Sequence, residues 1–165
     1  MKQKHNIPPV YDSESHILIL GSFPSVKSRE EGFFYGHKQN RFWRVLSALL
    51  CEPLPLTVNE KKAMLHKHHI ALWDVIASCE ISGSSDNSIK AVIPNDIQVI
   101  LKECLNIKIF VNGKTAERYY KKYMLKATGR EALTLPSTSP ANAAWSFERL
   151  LEAWSIILDS NGGKE

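Results

Sequence analysis

Four short apolar stretches lie along the chain and are separated by amphipathic segments. They are His16–Gly21, Ile70–Ile76, Ile107–Gly113 and the shorter Ala132–Leu135. The first has no polar alternation, which is typical of a strand that is buried on both faces of a parallel sheet. The pattern therefore predicts four strands.

Apolar residues recur at helical spacing between and after these strands. They predict helices at Phe42–Leu50, from the capping-box pattern Thr57-x-x-Glu60 to about His68, at Ile97–Cys104, at Ala116–Met124 and at Phe147–Leu158. Strands that alternate with helices indicate a three-layer α/β/α fold around a central four-stranded parallel sheet. Since no repeat or linker interrupts this order, we expect one domain over residues 1–165, with a frayed tail from residue 158.

Composition narrows the class of protein. The 165 residues are 44% hydrophobic and 23% charged, and the net charge of +4 permits a nucleic-acid partner because Lys and Arg bind phosphates. The three cysteines, Cys51, Cys79 and Cys104, contain no C-x-x-C pair, so we expect neither a disulfide framework nor a metal site. Without a signal-peptide pattern or a membrane-length apolar run, the chain is expected to be a cytoplasmic monomer that needs no cofactor.

Small, polar, turn-forming residues follow all four predicted strands. They are residues 21–25 (GSFPS), Asp74 with the polar loop Glu80–Ser88, residues 112–115 (NGKT) and residues 136–140 (PSTSP). Ligands of open α/β sheets bind beyond the carboxyl ends of the strands, and such turns expose N–H groups that suit anionic oxygens. Turn formation alone would explain any one of these loops, but four that converge favour a binding site.

Two segments, one after strand three and one after strand one, each allow more than one interpretation. Gly113-Lys114-Thr115 resembles the end of a P-loop, but Lys108 stands where that motif needs glycine, so a nucleoside triphosphatase is disfavoured. Residues 32–43 (GFFYGHKQNRFW) place three aromatic side chains in a loop, where they could stack on an unstacked base or attach the loop to the core. Asn40 directly precedes a predicted helix, so an N-cap role competes with a functional one.

Four motifs in order resemble the uracil-DNA glycosylase superfamily over nearly the whole chain. GSFPS occupies the place of the first motif, and HKQNRFW (residues 37–43) looks like the H-P-x-N-R-F-W of the mismatch-specific enzymes. FVNGKTA (residues 110–116) is similar to the third-strand pattern, and LPSTSPAN (residues 135–142) stands where the second motif lies. Phe23 departs from the water-activating Asp or Asn of the uracil enzymes, Ser137 from the second-motif His or Asn, and Ala141 from a bulkier wedge residue.

These departures are most similar to the hypoxanthine-DNA glycosylase branch. The resemblance implies an enzyme that flips a deaminated base out of DNA and cleaves its N-glycosidic bond. The branch's catalytic amide falls on Asn40, which is expected to accept a hydrogen bond from the attacking water while it donates elsewhere, and Tyr35 is expected to stack on the base. The implied base pocket consists of Gly21, Ser22, Phe23, Tyr35, Asp74 and Ser137, and the implied DNA-backbone contacts of Ser25, Lys27, Lys114 and Ser139.

Three alternatives stay open at this point. They are a glycosylase for uracil or mismatched thymine, a catalytically inactive DNA-binding module of the same fold, and a hydrolase or transferase of small nucleotides. For Asp74 a structural role at the strand end competes with an electrostatic one, and Lys114 is either a phosphate ligand or an ordinary solvated lysine.

Overall fold

The computed structural model describes residues 2–4, 7–81 and 89–159. In this part of the chain the strands are β1 (Lys2–Lys4), β2 (Ile17–Gly21), β3 (Ile70–Asp74), β4 (Ile76–Glu80), β5 (Lys90–Pro94), β6 (Lys108–Asn112) and β7 (Leu133–Leu135). Strands β2, β3, β6 and β7 form a four-stranded parallel sheet in the order β3-β2-β6-β7. All four predicted parallel strands and the predicted fold class are therefore confirmed.

The helices cover both faces of this sheet. They are α1 (Val26–Glu31), α2 (Phe42–Leu50), α3 (Val58–Lys67), α4 (Gln98–Leu101), α5 (Lys114–Tyr123), α6 (Leu125–Thr128), α7 (Phe147–Trp154) and α8 (Ile156–Asp159). The capping box at Thr57 and Glu60 forms as predicted. The third predicted helix is a single turn, and the last is interrupted at Ser155, whose Oγ donates to the carbonyl of Glu152.

Two elements differ from the sequence expectation. The apolar run Ile70–Ile76 is not one strand, because the chain turns at Val75 and β4 joins β1 and β5 in a separate antiparallel sheet. The predominantly apolar composition of this run conceals the break, since the residues on both sides of Val75 are buried. Helix α1 was not predicted because its sequence, VKSREE, has no apolar stripe; it begins after the cap residue Ser25 and ends at Gly32.

The core lies on both sides of the parallel sheet. Ile17 and Ile19 of β2 pack into one hydrophobic cluster, and Leu18 and Leu20 pack into the other. This arrangement explains why β2 lacks polar alternation. The side chain of Trp154 is fully buried, and its Nε1 donates to the carbonyl of Pro136, 2.9 Å away, which connects α7 to the loop after β7.

The predicted C-terminal tail and the predicted polar loop both extend into residues that lie outside the described ranges. Helix α8 reaches Asp159, so the tail predicted from residue 158 begins inside a helix; residues 160–165 lie outside the described residues. The predicted polar loop Glu80–Ser88 starts at the end of β4, and its residues 82–88 also lie outside them. No helix within the described ranges has the length and apolar character needed to cross a membrane.

Candidate active site

A cavity of about 230 Å³ lies at the carboxyl ends of the parallel strands. Its wall contains residues 21–26 after β2, Asp74 at the end of β3, residues 112–115 at the end of β6 and residues 137–139 after β7. The parallel sheet brings these loops together because all four strands end at the same edge.

The predicted site residues gather here with one exception. The cavity is lined by Gly21, Ser22, Phe23, Ser25, Tyr35, Asn40, Asp74, Lys114, Ser137 and Ser139. Lys27 is not part of the lining; it is exposed on α1, with Nζ 3.7 Å from Oε2 of Glu31. The sequence therefore identified about half of the residues that line the cavity, although not the contacts between them.

The oxygen of the Asn40 side chain accepts two hydrogen bonds. Its Oδ1 accepts from the backbone N–H of Phe42 at 2.9 Å and from the hydroxyl of Thr138 at 2.8 Å. A backbone N–H can only donate, so the amide atom that faces it must be the oxygen. Both lone pairs of Oδ1 are then used, and Nδ2 is the end of the amide with no partner among the described residues.

This orientation corrects one expectation and combines two others. The oxygen does not remain available to accept from a water, so the amide offers the cavity an N–H donor instead. Asn40 also binds the first N–H of α2, although the N-cap residue itself is Arg41. The cap role and the position in the cavity wall are therefore compatible, because they use different atoms of one side chain.

Two residues that the sequence analysis did not select hold this amide in place. Thr138 is fully buried, and its Oγ1 accepts from Nδ2 of Asn112 at 3.0 Å while it donates to Asn40. The backbone N–H of Thr138 donates to Oδ1 of Asn112 at 3.1 Å, which fixes the orientation of that second amide. The available signal was weak: an amide at the end of a buried strand and a threonine inside the LPSTSPAN motif.

The loop after Thr138 is attached to the same segment as Asn40. The backbone N–H of Arg41 donates to the carbonyl of Thr138 at 3.0 Å. Its guanidinium donates to the carbonyls of Trp145 and Asn142, and Nδ2 of Asn142 donates to the carbonyl of Ser137. Three consecutive residues, 40–42, thus connect the amide, the start of α2 and the second-motif loop.

Tyr35 presents an aromatic ring that is supported from behind. Its ring stacks on Phe42 with a centroid distance of 4.1 Å and an interplanar angle of 19°. The backbone of Tyr35 has φ +56°, a conformation that costs energy for a non-glycine residue and indicates a position imposed by its surroundings. Phe33 and Phe34 are buried in the core, so these two aromatics attach the loop to the protein.

Asp74 lies in the cavity wall next to a required glycine. A Cβ at Gly21 would lie 2.6 Å from Oδ1 of Asp74 and 3.1 Å from the hydroxyl of Tyr35, so only glycine leaves room for both groups. Burial raises the pKa of Asp74 to about 7. Burial also raises the pKa of Tyr35, the Asp74 carboxyl adds to that rise, and the Asn112 side chain opposes it. A neutral carboxyl near pH 7 can donate as well as accept a hydrogen bond.

The predicted serine contacts are partly used by the turns that contain them. Oγ of Ser25 caps α1 by accepting from the N–H of Ser28. Oγ of Ser137 accepts from the N–H of Ser139, and Oγ of Ser139 accepts from the N–H of Ala141. Lys114 is the first residue of α5 and is exposed at the rim of the cavity.

A family model, two relatives and a solved structure are similar to this chain, and they agree on one family. The family model of the uracil DNA glycosylase superfamily matches residues 8–157. A hypoxanthine DNA glycosylase of Methanosarcina acetivorans is 35% identical over 156 residues, which cover 93% of this chain and 97% of that protein. A hypoxanthine DNA glycosylase of Methanosarcina barkeri is 34% identical over 142 residues, which cover 85% and 89%.

A solved structure matches as well. The solution NMR structure of a candidate uracil DNA glycosylase from Methanosarcina acetivorans superposes with a TM-score of 0.80 at 32% sequence identity. The match covers 95% of this chain and 96% of that one. Sequence and structure thus agree over nearly the full length.

The raised pKa of Asp74 predicts a pH-dependent contribution to stability. The folded protein keeps a proton on Asp74 up to a pH of about 7, whereas the unfolded chain loses it near the ordinary aspartate pKa of 3.8. The stability contribution is therefore complete at low pH and is lost as pH rises. We expect the free energy of unfolding of wild type, relative to Asp74→Asn, to fall by on the order of 4 kcal/mol between about pH 4 and pH 7. Urea unfolding at several pH values measures this difference, and a difference that does not change with pH would contradict it.

Proposed function

This chain belongs to the uracil DNA glycosylase superfamily, and from that membership we propose that it removes hypoxanthine from DNA by hydrolysing the N-glycosidic bond of deoxyinosine. The chain is a DNA glycosylase, and the two Methanosarcina relatives that share about a third of its residues are hypoxanthine DNA glycosylases. The observation that carries the proposal is the oriented Asn40 amide, which lines a cavity where four strand ends meet.

The first-motif position supports a role for Asn40. Phe23 lies in the cavity wall, but a phenylalanine has no atom that can hold or activate a water. Asn40 is the amide in the same cavity with an N–H group that has no partner among the described residues. A polar group of this kind, presented by a fixed side chain, can orient a water without a large reorganisation cost.

The chemistry that we propose relies on stabilising charge in the transition state. As the bond between C1′ and N9 breaks, its electron pair moves to the base and the sugar becomes positive. Nδ2 of Asn40 donates to one lone pair of the attacking water, and the other lone pair forms the bond to C1′. The proton that the water loses passes through solvent to the departing base. Because an N–H donor cannot remove that proton, we infer that stabilisation of the leaving base supplies much of the rate.

The base pocket combines a stacking surface with polar groups. The ring of Tyr35 is supported by Phe42 and is the surface that we assign to the flipped base. Ser22, Asp74 and Ser137 line the same cavity and carry hydrogen-bonding groups. Hypoxanthine presents a carbonyl next to a ring N–H, whereas adenine presents an amino group next to a ring nitrogen. A pocket that pairs the first pattern leaves buried groups unpaired on adenine, which is costly.

DNA-backbone contacts are assigned to the rim of the cavity and to α1. Lys114 and Ser139 lie at the rim, Ser25 begins α1, and Lys27 is exposed on that helix. The α5 N-terminus adds N–H groups that are oriented towards the same region and favour a phosphate.

Replacement of Asn40 tests the catalytic assignment. Asn40→Asp keeps an oxygen that accepts from Phe42 and Thr138 but removes the N–H donor, and Asn40→Ala removes both. We expect each variant to lose at least about 100-fold in single-turnover excision of hypoxanthine, as for removal of one transition-state donor. The measurement uses labelled oligonucleotides that contain one deoxyinosine, uracil or undamaged adenine, with DNA affinity measured in parallel.

The outcomes separate the alternatives. Wild-type rates in Asn40→Asp would mean that the oxygen, rather than the N–H donor, carries the catalytic role. Excision of uracil alone by wild type would keep the enzyme class and overturn the hypoxanthine assignment. Binding of DNA without excision of any lesion would leave an inactive binding module.

Salt dependence tests the backbone contacts. Each phosphate that a cation neutralises contributes a slope of roughly −0.9 to the plot of log affinity against log salt concentration. We expect Lys114→Gln to weaken DNA binding and to reduce this slope by about 1. Lys108→Gln is the matched control, because Lys108 is exposed at the opposite end of β6. Equal slopes for wild type and Lys114→Gln would show that Lys114 does not contact a DNA phosphate.

A further inference from the structure

Arg29 is a cation in the wall of the cavity that neither the motifs nor the family resemblance identified. It lies in the last turn of α1, and its side chain lines the cavity together with Phe23. Among the described residues no carboxylate forms a salt bridge with it. An arginine of this kind offers donors to whatever enters the cavity.

The contacts of Arg29 use one side of its guanidinium group. Nη1 donates to Oε1 of Gln3 at 2.8 Å, which connects α1 to β1. Cζ lies 5.1 Å from the ring centroid of Phe23, so the guanidinium packs over this aromatic ring. Nε is buried without an acceptor, and Nη2 has no hydrogen-bond partner in the described part of the chain.

The two unused donors lie on the same edge of the group. In a planar guanidinium the N–H of Nε and one N–H of Nη2 are parallel, and such a fork can bind two adjacent acceptors. A buried donor without an acceptor is energetically costly. A ligand with two adjacent acceptors would remove that cost.

A 6-oxopurine has such an edge. Its O6 and N7 are neighbouring acceptors, and arginine binds the same pair of atoms when it recognises guanine in DNA. Hypoxanthine carries O6 and N7 in the same arrangement. Adenine replaces O6 with an amino donor that opposes the guanidinium, and uracil has no N7.

We propose that Arg29 binds the O6 and N7 edge of the flipped hypoxanthine and thereby selects a 6-oxopurine over adenine and over pyrimidines. This inference rests on the proposed function. The same contact stabilises the leaving base, because the electron pair released from the glycosidic bond spreads over N9, N7 and O6. Nε is buried below the cavity surface, so the wall around it must adjust as the base enters.

The proposal also gives Phe23 a role. A phenylalanine cannot activate water, but its face supports the guanidinium plane of Arg29 while Gln3 holds the opposite edge. A cation that stabilises the departing base thus lies next to the position where the uracil enzymes carry their water-activating residue.

The test replaces N7 of the base by a C–H group and, separately, replaces the Arg29 side chain of the protein. Wild type, Arg29→Met and Arg29→Lys are titrated with DNA that contains 2′-fluoro-deoxyinosine, which resists cleavage, and with its 7-deaza analogue, in which a C–H replaces N7. We expect wild type to bind the 7-deaza DNA roughly 10- to 100-fold more weakly, as for loss of one specific base contact. Arg29→Met should bind both DNAs with equal affinity, and Arg29→Lys should keep only part of the preference because it has no fork.

Controls separate base recognition from folding and from general DNA affinity. Arg118→Met removes another cation that packs on an aromatic ring, 4.9 Å from Tyr119, but Arg118 does not line the cavity. It should retain the N7 preference, and all variants should bind undamaged duplex with similar affinity and keep their melting temperature. If Arg29→Met unfolds, the reduced preference of Arg29→Lys decides the question.

Failure of the Arg29 proposal can be distinguished from failure of the proposed function. If wild type excises hypoxanthine but ignores N7, or if Arg29→Met or a folded Arg29→Lys keeps the full preference, the Arg29 proposal is overturned and the proposed function stands. If wild type neither excises hypoxanthine nor binds it better than undamaged DNA, both proposals fail.

Discussion

The two hydrogen bonds that Oδ1 of Asn40 accepts determine what the cavity can do. One donor is the backbone N–H of Phe42 at the start of α2, and the other is the hydroxyl of buried Thr138 after β7. Because both lone pairs are occupied, the amide offers an N–H group rather than an oxygen. In the mechanism that we propose, Asn40 orients the water but cannot take its proton, so the energetic demand falls on the leaving base. The remaining polar groups of the cavity have to meet that demand.

The fold supplies those groups from elements that are far apart in sequence. Gly21 has no side chain, and this absence lets Asp74 and Tyr35 approach each other at the end of β2. Burial holds the pKa of Asp74 near neutral pH, so the pocket contains a carboxyl that can donate. Arg29 brings a cation from α1, with Phe23 as the surface below its guanidinium. The antiparallel sheet contributes through Gln3 of β1, which anchors that cation.

The sequence predicted the parts of the fold whose burial pattern is regular. The four parallel strands, α2 and the Thr57 capping box all follow from apolar spacing or cap chemistry. Helix α1 was missed because it is short and polar, and the turn at Val75 was missed because residues on both sides of it are buried. Most of the cavity wall could be found by examining strand ends, since parallel strands must end at one edge.

The contacts within the site could not be predicted in the same way. Asn112 is the last residue of β6 and Thr138 is an ordinary loop residue in sequence. Their effect on Asn40 depends on how β6, β7 and the segment 40–42 are placed relative to one another. Arg29 appears in sequence as one charge in a polar helix, and its orphaned donors are apparent only in three dimensions. Contacts between particular pairs of side chains leave no periodic pattern in the sequence. The strands and helices that bring those side chains together do leave such a pattern.

The most direct test of this account is the single-turnover rate of Thr138→Val on deoxyinosine DNA. This variant keeps the shape of the buried side chain but removes the hydroxyl that connects Asn112 to Asn40. We expect the rate to fall by about 10-fold or more, because the proposed catalytic amide loses its fixed orientation, while DNA affinity stays at the wild-type value. A folded Thr138→Val protein that excises hypoxanthine at the wild-type rate would contradict the claim that this hydrogen-bond chain positions the catalytic amide.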